Sequence, residues 1–300
     1  MTEIIPYEAE AHLTWAGLMQ AFEAGHRLPL AGIKDMLLSR DRDTILNRGA
    51  WIDGLGALVK VATIFPGNAA LGKPSIHGAV TLYDDRTGEL AAIVDFHLVT
   101  KWKTAGDSLL SASRLARKDA RDFLLVGAGA VARSMVEAYS SVFPEARFTV
   151  WSRSRASAEA MGLPVAEDLE AAVRKADVIC TATMATESLI RGDWLQPGQH
   201  LDLIGAYKPG MREVDDRAMQ RARLFVDSRA TTIHHIGELI DPIASGAITE
   251  GHVIADFHDD PTLFARRSDD EITIAKNGGG AHLDLMTAMY VADRWRNRTT

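Results

Sequence analysis

Apolar and polar positions follow two different rhythms along the chain. Near the N-terminus Trp15, Leu18, Met19 and Phe22 recur at helical spacing, and Ile33, Met36 and Leu37 repeat it, so both segments are predicted as core-facing helices. Between 50 and 100 the character changes. Residues 57–65 are strand-like, Pro66-Gly67-Asn68 breaks the run, 76–83 is a second strand, Asp84-Asp85-Arg86-Thr87-Gly88 is a turn, and 89–94 is a third strand. This pattern predicts an antiparallel meander, followed by a helix over 99–115. From 118 to 275 short apolar runs alternate with helical stretches. The runs are 123–126, 148–151, 177–183, 200–206, 224–227 and 272–275. Such alternation predicts a parallel, doubly wound sheet. A helix over 282–295, carrying Leu285, Met289 and Val291, closes the chain and is long enough to return to the first domain.

The stretch 121–151 organises the rest. Phe123-Leu124-Leu125-Val126 runs straight into Gly127-Ala128-Gly129-Ala130-Val131-Ala132, a helix over 133–142 and a second strand, Phe148-Thr149-Val150-Trp151. Strand, glycine turn, helix and strand at this length form the layout of a dinucleotide-binding unit. Gly127 permits the tight turn. Gly129 lets backbone amides approach a pyrophosphate, with Ala128, Ala130 and Val131 completing the turn, and Ala132 keeps helix and strand close. The helix N-terminus supplies N–H groups and the positive dipole end.

The residues just after the second strand select the cofactor. A site for NAD(H) usually has a carboxylate there for the ribose 2′-hydroxyl. This chain has Ser152-Arg153-Ser154-Arg155, with no carboxylate before Glu159. Two hydroxyls and two arginines suit a 2′-phosphate, so NADP(H) is favoured over NAD(H). Ligands of such sheets bind beyond the carboxyl ends of the strands, which places Thr181, Ala182, Thr183 and Gly205 along the cofactor crevice. Near the end, Asn277 precedes Gly278-Gly279-Gly280. Consecutive glycines cost backbone entropy, and imply either a hinge or close approach to a ligand or another strand. Asn277, Gly278 and Gly279 join the candidate cofactor residues.

Composition narrows the class. The 300 residues are 47% hydrophobic and 24% charged, with a net charge of −7, which disfavours nucleic acid and anionic membrane as partners. No apolar run reaches membrane-spanning length, and 1–6 lacks the form of a secretory signal. The single cysteine, Cys180, excludes an intrachain disulfide, fits a reducing compartment and so a cytoplasmic location, and reads as a small buried hydrophobe.

A lone lysine, Lys60, sits inside the apolar run Leu58-Val59-Lys60-Val61-Ala62. Such a lysine is paired, desolvated, or snorkels from a sheet edge. The first two cases suit a carboxylate clamp or a proton donor. Thr100-Lys101-Trp102-Lys103-Thr104 opens the next helix, where cations oppose the dipole, which fits either a nearby anion or simple solvated lysines. His77, His97 and His282 read as structural. His234-His235 with Glu238 and Asp241 fits no metal-ligand spacing, so no metal is expected.

Together these residues resemble the ornithine cyclodeaminase/μ-crystallin family. The resemblance rests on 59–68 (Val-Lys-Val-Ala-Thr-Ile-Phe-Pro-Gly-Asn), 98–105, the turn at Val126-Gly127-Ala128-Gly129, 204–210 with Arg212-Glu213, and Lys276-Asn277-Gly278-Gly279, in order over nearly the whole chain. It implies two domains. One is an α+β substrate-binding and dimerisation domain, 1–117 with 277–300, in a homodimer. The other is a Rossmann domain over 118–276. It also implies hydride exchange between a nicotinamide and the α-carbon of small imino or amino acids bound between the domains. On the matching positions Lys60 is the substrate and catalytic lysine, Lys103 stands where the family has a carboxylate-gripping arginine, Arg48 matches an upstream substrate arginine, and Ser75 a substrate-contacting threonine. Tyr207 departs from the aspartate of true cyclodeaminases, and tyrosine is no anionic base near neutral pH. The expectation is therefore an NAD(P)H-dependent 2-imino acid reductase. The alternatives are an ornithine-type cyclodeaminase and a non-catalytic NADPH-binding dimer.

Overall fold

The computed structural model describes residues 2–298, which fall into two compact units, 2–103 with 280–298, and 104–279. The first unit opens with β1 (Glu3–Ile5), a 3-10 turn and α1 (Trp15–Gly25), capped by Thr14, whose Oγ1 accepts from Gly17 N at 3.1 Å. Five strands follow: β2 (Gly32–Arg40), β3 (Asp43–Ile52), β4 (Gly56–Ile64), β5 (Ile76–Tyr83) and β6 (Leu90–Val94). They form one sheet in the order β1-β6-β5-β4-β3-β2, antiparallel except that β1 runs parallel to β6.

Two differences from the sequence expectation arise here. Residues 33–37, expected as helix, lie in β2. The spacing of Ile33, Met36 and Leu37 fits a helical face, but β2 pairs with β3 from Gly32↔Trp51 to Arg40↔Asp43. The turn between them places Asp41 at φ 51°, a hairpin conformation. Cross-strand bonding over that length overrides a weak local preference. The partner, β3, had no signature of its own. Next, α2 (Phe96–Leu115) starts earlier than 99, because Asp95 Oδ1 accepts from Leu98 N at 2.8 Å and caps it there. Lys101 and Lys103 therefore lie inside the helix, not at its mouth.

In the second unit the chain alternates as expected. It runs through β7 (Asp122–Val126), α3 (Ala130–Val142), β8 (Arg147–Trp151), α4 (Arg155–Glu159), α5 (Leu169–Lys175), β9 (Val178–Thr181) and β10 (His200–Leu203). It continues through α6 (Asp216–Arg221), β11 (Arg223–Val226), α7 (Arg229–Thr232), α8 (Gly237–Ala244), β12 (Val253–Ala255) and β13 (Thr273–Lys276). The seven strands are all parallel, in the order β12-β11-β13-β10-β9-β7-β8. This is the Rossmann-type doubly wound sheet. From β7 the chain steps outward to β8 and then back across to β9, so the topological switch lies between β7 and β9. Leu124, Val126, Ile179, Leu201, Leu203, Leu224 and Ile274 are buried in its core, each stabilising the fold by about 1.5–3 kcal/mol. Cys180 is buried, and burial pushes its thiol pKa well up.

The last helix, α9 (Ala281–Arg296), belongs to the first unit. It packs on α1 and across β2 to β6. Leu58, Ala62, Val80, Leu82 and Val94 of the sheet and Leu283, Leu285 and Met286 of the helix are buried, with Met286 close against Gly25 of α1.

Candidate active site

Register places the cations of the first unit side by side. Arg48 of β3 lies directly opposite Lys60 of β4 on one side and Asp35 of β2 on the other, and Lys60 lies opposite Val80 of β5. Directly opposed residues point to the same face, here the face covered by α9. Lys60 is therefore on a central strand and 5% exposed, which removes the snorkelling alternative. Its Nζ donates to Thr100 Oγ1 at 2.7 Å and to Asp284 Oδ1 at 2.8 Å, and lies 4.7 Å from the centre of the Phe96 ring. Lys103 Nζ stands 3.7 Å and Arg48 Nη1 3.8 Å from Asp284 Oδ2. Arg48 also grips Asp35 through Nε and Nη2 at 3.0–3.2 Å.

Sequence reasoning thus named the three cations, but missed what they surround. Asp284 is fully buried at the heart of α9. Burial pushes its pKa up, but Lys103, Lys60 and Arg48 overcome this and bring it down to about 2. A signal was present: a single carboxylate flanked by Leu283, Leu285 and Met286 is the helical counterpart of Lys60 in its apolar strand. Lys101 takes no part, since it pairs with Glu10 at 3.0 Å. Ser75 is not brought to the cluster. It precedes β5 and stands five residues from Val80, the partner of Lys60, about 17 Å along an extended chain.

The second unit offers a cradle at its switch point. Gly127 has φ +114°, and a Cβ there would lie 2.5 Å from Ala182 O, so glycine is required twice over. The space in front of Gly129 is open, since a Cβ built there meets nothing within 4 Å. Gly129 is the N-cap of α3, whose first turn holds no acidic residue. The leading amides of Ala130, Val131 and Ala132 have no acceptor one turn back. The residues therefore fit a dinucleotide pyrophosphate.

Beside that turn, Ser154 caps α4 by accepting from Ser157 N at 3.2 Å, and Ser152 Oγ accepts from Ser154 N at 3.3 Å. Arg153 is exposed, whereas Arg155 is paired with Glu159 and Glu167 at 2.8 and 2.5 Å. Of the two arginines expected at the 2′-position, Arg155 is thus already paired with two carboxylates, Glu159 one helical turn on and Glu167 beyond the helix.

The strand ends are held by a residue to which the sequence reading gave no role. Glu213 accepts from Thr181 Oγ1 (2.8 Å), Thr183 N (2.9 Å), Thr183 Oγ1 (2.7 Å) and Gly205 N (2.8 Å). Gly205 must be glycine, because a Cβ would overlap Thr183 O and sit 2.5 Å from Glu213 Oε1. Glu238, buried beneath, accepts from the backbone N–H of Glu213 and Val214. Burial and the charge of Glu213 push its pKa up to about 7, against the buried Lys276. Asn277 Nδ2 donates to Thr104 O at 3.2 Å, and Gly279 N donates to Asp227 Oδ2 at 2.8 Å, so that loop is tied to its own domain. Tyr207 is 55% exposed.

A doubly wound sheet with an open glycine cradle at its switch point defines a Rossmann-type, dinucleotide-binding protein. Comparison with known proteins carries this further. The chain belongs to the ornithine cyclodeaminase/mu-crystallin family, whose model matches residues 52–299. It is 50% identical to a Delta(1)-pyrroline-2-carboxylate reductase of Paracoccus denitrificans, over 95% of this chain and 94% of that one. It is 33% identical to the ketimine reductase mu-crystallin of Mus musculus, over 79% of this chain and 75% of that one. Among solved structures, an archaeal alanine dehydrogenase dimer with bound NAD superposes with a TM-score of 0.88 at 25% identity, covering 100% of this chain and 98% of that one.

Proposed function

We propose that this protein is an NAD(P)H-dependent reductase of 2-imino acids, acting on cyclic imines of the pyrroline-2-carboxylate type. The observation that carries the reading is the convergence of three cations on one buried carboxylate: Lys60 lies 2.8 Å, Lys103 3.7 Å and Arg48 3.8 Å from the oxygens of Asp284. Cations gathered in this way are suited to receive a substrate carboxylate. Arg48 and Lys103 hold that carboxylate, and Lys60 stands at the reacting C=N group. The similarity to the Paracoccus reductase supports a cyclic imine as the substrate.

The reduced nicotinamide supplies the hydride. Gly127, Ala128, Gly129, Ala130 and Val131 hold its pyrophosphate, and Thr181, Ala182, Thr183 and Gly205 line the approach to its ring, with the 277–279 loop beyond. The chain contributes orientation and charge neutralisation. Tyr207 in place of a carboxylate, and exposed, argues against cyclodeamination.

NADP(H) is favoured over NAD(H) on the strength of Arg153 with Ser152 and Ser154. Arg153→Ala therefore weakens NADPH by about tenfold and leaves NADH within about twofold, the loss of one charge-assisted phosphate contact. Fluorescence titration with both nucleotides reads this, and equal effects on the two would remove the preference.

The protein works as a homodimer. Met36, Leu38, Trp51 and Val59 stand exposed on the sheet face opposite α9, with Trp51 at 57%. An apolar patch of that kind on a structural element marks a protein interface. Sedimentation velocity should show a single species at twice the 32.7 kDa chain mass; a monomer at micromolar concentration would refute this. No described helix is long and apolar enough to cross a membrane. A cytoplasmic location suits the NAD(P)H requirement and the single free cysteine.

The deciding experiment tracks 340 nm absorbance with NADPH, then NADH, against pyrroline- and piperideine-2-carboxylate and 2-oxo acids mixed with ammonia or methylamine. Imine-dependent oxidation establishes the reductase. Ammonia release from ornithine without net NAD(P)H consumption would establish the cyclodeaminase instead. Silence in both, with nucleotide bound, would leave a binding protein.

A further inference from the structure

A carboxylate buried among cations that receive an anionic substrate poses a question. Asp284 competes with the substrate for Arg48, Lys60 and Lys103, so a site shaped for carboxylate affinity alone would be better without it. Its contribution is visible at Lys60. An ammonium has three N–H bonds. Thr100 Oγ1 accepts one, and must act as acceptor because its own hydrogen is donated to Phe96 O at 2.8 Å. Asp284 Oδ1 accepts the second. The Phe96 ring closes one side of the head group. One N–H remains.

We propose that Asp284 is a positioning residue for proton transfer: it fixes the Lys60 ammonium so that the third N–H is the donor to the imine nitrogen. This rests on the reductase reading. In the step, a Lys60 Nζ–H bond breaks as an N–H bond forms on the substrate. The hydride from the reduced nicotinamide adds to the C=N carbon, and the π pair moves to nitrogen. Lys60 is left as a neutral amine and regains its proton from solvent. The charged groups around the pair are Arg48 on β3, Lys103 on α2, and Asp35 on β2 acting through Arg48. On α9 itself His282 lies two residues away, its ring 5.5 Å from that of His26 at the end of α1.

The test uses the full chain with Asp284→Asn and Asp284→Glu. In the asparagine variant kcat for imine reduction falls about 50-fold or more while KM for the imine changes less than about threefold. The alkaline limb of its kcat profile moves about one pH unit or more towards acid, since the counter-charge is gone. The glutamate variant recovers kcat to within about tenfold of wild type. A second readout is independent of turnover. With 15N-labelled lysine, wild type shows an ammonium resonance protected from exchange, assigned to Lys60 by its absence in Lys60→Met, and Asp284→Asn loses it.

An asparagine variant with kcat within about threefold of wild type overturns the proposal, as does a wild type without the protected resonance. If Asp284→Asn does not fold, a folded glutamate variant below about 1% of wild-type kcat overturns it equally. A wild type that protects the ammonium but reduces no imine would refute the reductase reading while leaving the fixed Lys60 geometry standing.

Discussion

Lys60→Met abolishes imine reduction, lowering kcat/KM by about 10³-fold or more, and leaves NADPH affinity within about threefold. The magnitude comes from two contributions of the side chain. A positioned general acid contributes about 10²–10⁴-fold, and the same ammonium provides part of the charge that neutralises the substrate. Methionine keeps the length and apolar stem, so contact with the Phe96 ring survives. The variant also leaves Asp284 with one cation fewer. Because Lys103 and Arg48 still face that carboxylate at 3.7 and 3.8 Å, the stability loss stays below the about 3–5 kcal/mol of a fully orphaned buried charge. Steady-state kinetics with an NADPH titration and a melting curve separates these effects. Activity near the wild-type level would show that the reacting carbon lies elsewhere. Lost nucleotide binding would show that the substitution acts beyond the substrate cluster.

Glu213→Ala has the larger effect on the fold. The side chain is the common acceptor for Thr181, Thr183 and Gly205, three points on two strand ends. Truncation strands several donors in a buried setting, each worth about 1–3 kcal/mol before water relieves some of them. The net loss is about 3–5 kcal/mol, or about 10 °C in Tm for a chain of this size, together with weaker nucleotide binding because the strand ends lose their register. The loss depends on pH. Glu238, raised from 4.5 to about 7 by burial and by the charge of Glu213, holds a proton in the folded state that it lacks when unfolded, so wild-type stability declines as pH rises through that window. Removing Glu213 lessens the rise in that pKa and flattens the decline. The deficit of the variant is therefore greatest at the acidic end and smallest above pH 7. Thermal melts at pH 5 and pH 8, with and without NADPH, check both parts. A variant melting within about 2 °C of wild type at pH 5 would remove Glu213 as the organiser of the strand ends.

Much of the second unit was legible in the sequence because its signals are local. A parallel strand buried on both faces is a continuous apolar run, so 123–126, 178–181, 200–203 and 223–226 announce themselves. The glycine turn is dictated by clashes within a few residues. Lys60 was legible for the opposite reason, as a charge in an apolar run, and Lys103 through its place in the family resemblance. The segment 33–37 misled because three apolar residues at helical spacing carry less free energy than a long hairpin ladder that depends on β3. Arg155 misled because one helical turn brings Glu159 to it and the folded chain beyond that helix adds Glu167.

The sequence by itself determined the parallel Rossmann sheet, the phosphate turn at Gly127 and Gly129, and the residue types of the cation site, since each depends on neighbours along the chain. Only the tertiary structure decided how those charges are balanced. The β2–β3–β4 register aligns Asp35, Arg48 and Lys60 in one row. The closing helix, more than two hundred residues later in the chain, brings Asp284 to 2.8 Å from Lys60. Glu213 gathers two strand ends by its position after β10. Coulomb and hydrogen-bond energies depend on distances in space, and spacing along the chain does not encode those distances until the sheet and the last helix have packed.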